Sequence, residues 1–116
     1  MLFRSVESRK PGKAAEAEAL RPHLSDAHVI ACDERGRARG SRVFAEEIAA
    51  LRDGGARRLV FLIGAADGLD PAVVAAANST LAFGPQTWPH ALARAMLSEQ
   101  IWRAVSILAG SPYHRD

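Results

Sequence analysis

The segment Leu59–Ile63, with sequence LVFLI, is the longest run of large apolar side chains in this sequence. Successive side chains of a strand point to opposite faces, so such a run needs apolar cover on both sides. That is the signature of a strand inside a parallel sheet flanked by helices. The run is far too short to span a bilayer as a helix, which takes ~20 apolar residues.

The segments around it alternate in the same sense. Leu2–Val6 and Ala27–Cys32 read as strands, as does Ser79–Phe83. Ala14–Leu20 is rich in Ala and Glu and reads as a short helix ended by Pro22, after a loop at Ser8–Lys13. Ser41 is the expected N-cap of a helix from Arg42 to about Arg52, with Phe44, Ile48 and Leu51 on one face and Gly54-Gly55 closing it. Asp70 and Pro71 mark the start of another helix. Pro89 starts a long last helix that runs to about Ala109. Alternating strands and helices predict an α/β fold with a mainly parallel sheet and helices on both faces.

At 116 residues this is one domain. Hydrophobic residues make up 48% of it, but 23 of them are alanine, which buries little area. A core this thin predicts completion by a partner subunit. The last helix points the same way. Ala91, Ala95, Ser98, Trp102, Val105 and Ala109 form one stripe, and Leu97, Ile101, Ala104 and Leu108 a second. A helix apolar over most of its surface is buried on more than one side, so a symmetric dimer is expected.

Glu7, Arg9 and Lys10 interrupt any signal-peptide core, and a single cysteine, Cys32, fits a reducing cytoplasm. The histidines His23, His28, His90 and His114 have no zinc-type spacing, so no metal is expected. The net charge of +2 names no partner, yet 13 of the 15 basic residues are arginine. Two explanations stand, a GC-rich genome or phosphate contact. The loop Asp33–Gly40, DERGRARG, is either a solvated loop or a phosphate contact through Arg35 and Arg37.

In open α/β sheets, ligands bind beyond the carboxyl ends of the strands. Three loops fall there: Asp33–Gly40, Gly64–Gly68 and Gly84–Trp88. The second lacks both the Lys-Ser/Thr of a phosphate loop and the GxGxxG dinucleotide spacing. It is an ordinary turn, or a place of close backbone approach to a ligand.

From Phe61 onward the residues become specific. The Ile-Gly loop in LIGAADGLDP, the Thr87-x-Pro89-His90 helix start, Arg94-x-x-x-x-Glu99-Gln100-x-Trp102-Arg103-Ala104, and the terminal Tyr113-His114-Arg115 resemble the RlmH family. These are small bacterial SPOUT-class methyltransferases. Asp33–Gly55 resembles the family's Asp-x-x-Gly-Arg/Lys loop and following helix. The resemblance implies a C-terminal trefoil knot, a homodimer, and methylation of N3 of a pseudouridine in 23S rRNA of the large ribosomal subunit or assembled ribosome. It implies S-adenosyl-L-methionine bound by Cys32, Gly64 and the third loop, Phe83, Gly84, Pro85, Gln86, Thr87 and Trp88. Tyr113, His114 and Arg115 would reach toward the partner's cofactor site. His114 or His90 would handle the imide proton, and Arg115 and Arg94 would serve charge and RNA contact.

Two departures accompany the resemblance. Gly64-Ala65 stands where the family has a glycine pair. The family's first strand and helix have no counterpart, as Met1-Leu2-Phe3 aligns with what looks like the second strand. A shortened form is therefore expected, and a non-catalytic RNA-binding or dimerisation module is the alternative to an active enzyme. A different nucleotide-binding α/β protein would require the C-terminal motifs to be coincidence.

Overall fold

The computed structural model describes residues 1–7, 27–64 and 68–115. Within them, β1 (Leu2–Glu7), β2 (His28–Cys32), β3 (Arg58–Ile63) and β4 (Ser79–Leu81) form a parallel sheet in the order β1-β3-β2-β4. Three helices, α1 (Ser41–Asp53), α2 (Pro71–Ala76) and α3 (His90–Leu108), complete the described fold. These elements stand where the sequence places them, within a residue or two. The predicted loop Ser8–Lys13 and helix Ala14–Leu20, together with His23 and Ala65, lie outside the described residues.

The LVFLI run behaves as its pattern requires. Leu59, Phe61 and Ile63 join Ile30, Leu81, Phe44, Ile48 and Leu97 in one apolar cluster, which places α1 and α3 on that face. Val60 and Leu62 turn the other way and pack with Val6, Val29, Ala31 and Val73, which places α2 on the opposite face. The sheet is thus covered on both sides, and β3 has no water-facing side chain between Leu59 and Ile63. Phe44 meets Phe61 edge-on at 6.2 Å between ring centres, fixing α1 over the sheet.

Helix starts follow two different rules. Asp70 caps α2 by accepting from the Ala72 N–H at 2.8 Å, with Pro71 in the first helical turn, as expected. The expectation for Ser41 is corrected. Gly40 occupies the N-cap and Ser41 is the first helical residue. Its hydroxyl donates to Gln100 Oε1 at 2.7 Å, so it ties α1 to α3 instead of satisfying a backbone N–H. The helix begins one residue earlier than the serine signal places it, so the hydroxyl lies in the first turn and not at the cap.

The β2–α1 loop is stitched to β4. Arg37 N–H donates to Thr80 Oγ1 at 3.1 Å, and Ala82 N–H donates to the Arg37 carbonyl at 3.2 Å. Arg39 points inward, its side chain only 4% exposed. Its Nη1 donates to the carbonyls of Arg37 (2.8 Å) and Thr80 (2.6 Å), and its Nη2 to Glu47 Oε1 (2.9 Å). Its Nε lies 2.8 Å from Glu47 Oε2. Neutralising one partner of a buried pair strands the other charge. Glu47→Gln is expected to cost about 3 kcal/mol in urea unfolding, by analogy with other broken buried pairs. A loss below about 0.5 kcal/mol, the level of an ordinary surface change, would contradict the structural role assigned to Arg39.

Candidate functional site

A cleft opens where β2, β3 and β4 end. Cys32, Ile63 and Leu81, the last residues of these strands, form its floor. Three loops form the walls. Asp33, Glu34 and Arg35 come from the first, Gly64 and Gly68 from the second, and Phe83, Gln86, Thr87 and Trp88 from the third. His90 and Ala93, on the first turn of α3, close one side.

Hydrogen bonds set these walls. Gly36 N–H donates to the Asp33 carbonyl at 2.8 Å, making a tight turn. A Cβ on Gly36 would lie 2.9 Å from the Thr80 Cβ, so only glycine fits. Asp33 Oδ1 accepts from the Arg35 N–H at 2.9 Å. Thr87 donates to Glu34, linking the first and third loops. Trp88 Nε1 donates to the Phe83 carbonyl at 3.2 Å, closing the third loop on itself. At Gly64 a Cβ would lie 2.5 Å from the Gly68 carbonyl carbon and 2.6 Å from the Leu69 nitrogen. Gly64 thus stands backbone against backbone with Gly68 and Leu69, the packing that a tight turn after β3 needs.

The chemistry of this cleft is mixed. Ile63, Leu69, Leu81 and Phe83 supply apolar wall, while Asp33 and Glu34 supply carboxylates. Burial pushes the Cys32 thiol up to about 12, with Arg39 opposing that rise. Cys32 is therefore a neutral wall group at physiological pH and not a nucleophile.

The sequence-predicted residues separate into two places. Cys32, Gly64, Phe83, Gln86, Thr87, Trp88 and His90 line the cleft. Gly84 lines a neighbouring groove beside Ser41, Met96 and Gln100. Pro85 is exposed. Arg35 stands at the cleft edge, its side chain 73% exposed, and Arg37 is 69% exposed. Arg94 lies on the exposed side of α3, one turn after His90. The tail is elsewhere. Tyr113 and His114 fold back on the second half of α3, against Glu99 and Arg103. Glu99 is nine residues past His90, about 14 Å along a helix rising ~1.5 Å per residue. His90 and His114 are thus not neighbours within one chain.

The tail is held by a compact polar cluster. Arg103 grips Glu99 with both ends of its fork, Nε to Oε1 at 3.0 Å and Nη2 to Oε2 at 2.9 Å. Tyr113 Oη donates to Glu99 Oε2 at 2.9 Å. Arg103 Nη1 lies 3.1 Å from His114 Nδ1, and its guanidinium stacks 4.8 Å above the Tyr113 ring. Trp102 meets the same ring edge-on at 6.5 Å. The sequence motif contains Glu99 and Arg103, but only as part of a pattern. Their i, i+4 spacing is the signal that marks them as a pair.

This cluster carries a pH dependence with a definite sign. The hydrogen bond from Arg103, reinforced by that from Tyr113, holds the Glu99 carboxyl below its ordinary value. Its contribution to tail docking is full at neutral pH and is lost as pH falls through the lowered value. The hydrogen bond to Glu99 raises the Tyr113 phenol above its ordinary value, so its contribution is lost only as pH climbs through that raised value. Trp102 emission, read in a Trp88→Phe background, is expected to change on acidification as Glu99 is protonated and again at alkaline pH as Tyr113 ionises. Emission that stays constant at both extremes would contradict this.

Among the described residues, no helix is long and apolar enough to cross a membrane. No group of three or more His, Cys, Asp or Glu side chains among them is arranged to hold a metal.

The cleft lies at the carboxyl edge of a parallel α/β sheet, the place where open sheets of this class bind their ligands. The family model described as "Predicted SPOUT methyltransferase" matches residues 4–114, and the chain belongs to that family. Within it, the chain is 86% identical over 111 residues to the ribosomal RNA large subunit methyltransferase H of Phenylobacterium zucineum (strain HLK1). It is 76% identical to the protein of that name from Caulobacter sp. (strain K31) and 73% identical to that from Caulobacter vibrioides. Each alignment covers 96% of this chain and 72% of the relative.

Proposed function

We propose that this protein transfers a methyl group from S-adenosyl-L-methionine to N3 of a pseudouridine in 23S ribosomal RNA, working as a homodimer. The observation that carries this reading is the cleft itself. It gathers Cys32, Gly64, Phe83, Gln86, Thr87 and Trp88 at the carboxyl ends of three strands, in a chain that belongs to a methyltransferase family.

The cleft suits this cofactor on its own chemistry. The cofactor supplies an activated methyl group on a cationic sulfur, so no covalent enzyme intermediate is required. Asp33 and Glu34 favour a cation and can accept from hydroxyl or amino groups. Ile63, Leu69, Leu81 and Phe83 offer an apolar wall for a flat heterocycle. The glycine at position 64 lets the second loop pack its own backbone tightly at the cleft wall, where a side chain would displace it.

The second half of the site is proposed to come from a second copy. The stripe predicted on α3 is bare in the single chain. Trp102 is 61% exposed and Leu92 45%, with Val105, Leu108 and Tyr113 exposed around them. A contiguous apolar face of this kind marks an association surface. Pairing two copies along α3 lets the docked tail of one chain approach the cleft of the other. That resolves the separation of His90 from His114 in one chain. Arg35, Arg37 and Arg94 are proposed to meet RNA phosphates around the cleft.

Incubation with tritiated S-adenosylmethionine and ribosomes lacking the modification tests the reading. The expected product is one N3-methylpseudouridine per large subunit, found by digestion and mass spectrometry. A folded protein that binds the cofactor yet labels no RNA would instead favour the non-catalytic module.

A further inference from the structure

Resting on the reading above, we infer that Glu99 and Arg103 are positioning residues that make His114 a hydrogen-bond donor through Nε2–H, aimed at a carbonyl oxygen of the target base, and not the acceptor of its proton. The geometry turns on one contact, Arg103 Nη1 at 3.1 Å from His114 Nδ1. A guanidinium carries five N–H donors and no acceptor. A contact of that length therefore requires the lone pair of Nδ1. In the neutral ring the proton then resides on Nε2.

Arg103 is not free to turn away from this role. Two bonds to Glu99, at 3.0 and 2.9 Å, lock the plane of its fork. The Tyr113 ring beneath it and the Tyr113 hydroxyl on Glu99 lock the same plane from below. A base would have to receive a proton at Nδ1, where Arg103 already directs an N–H, or at Nε2, which already bears one.

A donor suits the chemistry of an imide. N3 is flanked by two carbonyls, and charge builds on their oxygens as its proton departs. A fixed N–H at one oxygen stabilises that charge. The electron pair of the broken N3–H bond forms the new N–CH3 bond, the proton passes to water, and the donor's sulfur keeps the pair of the bond it loses.

Two substitutions separate donor from base. In H114Q the side-chain amide N–H falls near the position of Nε2, whereas H114A supplies no donor. The expected result is that H114Q transfers methyl within about tenfold of the parent while H114A loses about a hundredfold or more, the usual loss for one such donor. Equal loss in both variants would overturn the inference. A second readout needs no activity. Long-range nitrogen-15 NMR of the labelled protein, with the His114 signals identified by their absence in H114Q, is expected to show a pyridine-like Nδ1 and a protonated Nε2. In R103L the two nitrogens are expected to move toward a tautomer average. A protonated Nδ1 in the parent protein would overturn the inference even if no methyl transfer were found. Absence of transfer with the expected NMR pattern would instead count against the proposed reaction alone.

Discussion

Gly64→Ala is expected to weaken S-adenosylmethionine binding by roughly tenfold to a hundredfold, about 1–3 kcal/mol of overpacking strain at ~1.4 kcal/mol per tenfold. The added methyl would sit 2.5 Å from the Gly68 carbonyl carbon and 2.6 Å from the Leu69 nitrogen. Both atoms are backbone, so no side chain can swing aside. The second loop must move, and Leu69 is 3% exposed with its side chain packed against Val29, Val60 and Val73. Overpacking of this kind costs about 1–3 kcal/mol. A domain of this size then loses roughly 4–8 °C of melting temperature per kcal/mol. Calorimetric titration beside a thermal melt checks both effects. Unchanged affinity would mean that the second loop does not shape the cofactor site.

Trp102→Asp is expected to convert a dimer into monomers and to reduce methyl transfer about a hundredfold or more, as losing one oriented half of a site does. Trp102 is the largest exposed apolar side chain on α3, and large aromatic anchors carry much of an interface's binding energy. A carboxylate there would be buried without a partner. Because Trp102 also touches Tyr113, Leu92→Asp at the other end of the helix serves as a second variant free of tail contact. Sedimentation at micromolar concentration reads the outcome. Dimers that persist in both variants would remove α3 from the interface.

Much of this fold was legible in local pattern. The LVFLI run announced a doubly covered strand, and its residues divide between two apolar clusters as strand alternation requires. Asp70-Pro71 announced a helix start because capping is a local matter. Ser41 misled because local signals fix a helix start only to within a residue: Gly40 takes the cap, and the Ser41 hydroxyl reaches Gln100, 59 residues away. Arg39 was likewise indistinguishable from Arg35 and Arg37 in the sequence. Which of three alternating arginines turns inward depends on where Glu47 and the Thr80 carbonyl lie. At the site, loop position after a strand located the cleft. The Glu99–Arg103 clamp on the tail depends on the chain reversing after α3, which the i, i+4 pair alone does not encode.

The central claim is that each functional site combines the cleft of one chain with the tail of the other. It is tested most directly by mixing two impaired variants, Gly64→Ala with an intact tail and His114→Ala with an intact cleft, at a cofactor concentration too low to load the Gly64→Ala cleft. Mixed dimers would contain one intact cleft facing one intact tail. Random mixing makes half the dimers mixed, so about a quarter of the sites are expected to regain methyl transfer when the two variants are refolded together, given the symmetric pairing of a two-fold dimer. Activity that stays at the level of the separate variants, with mixed dimers verified by mass spectrometry, would contradict a site shared between chains.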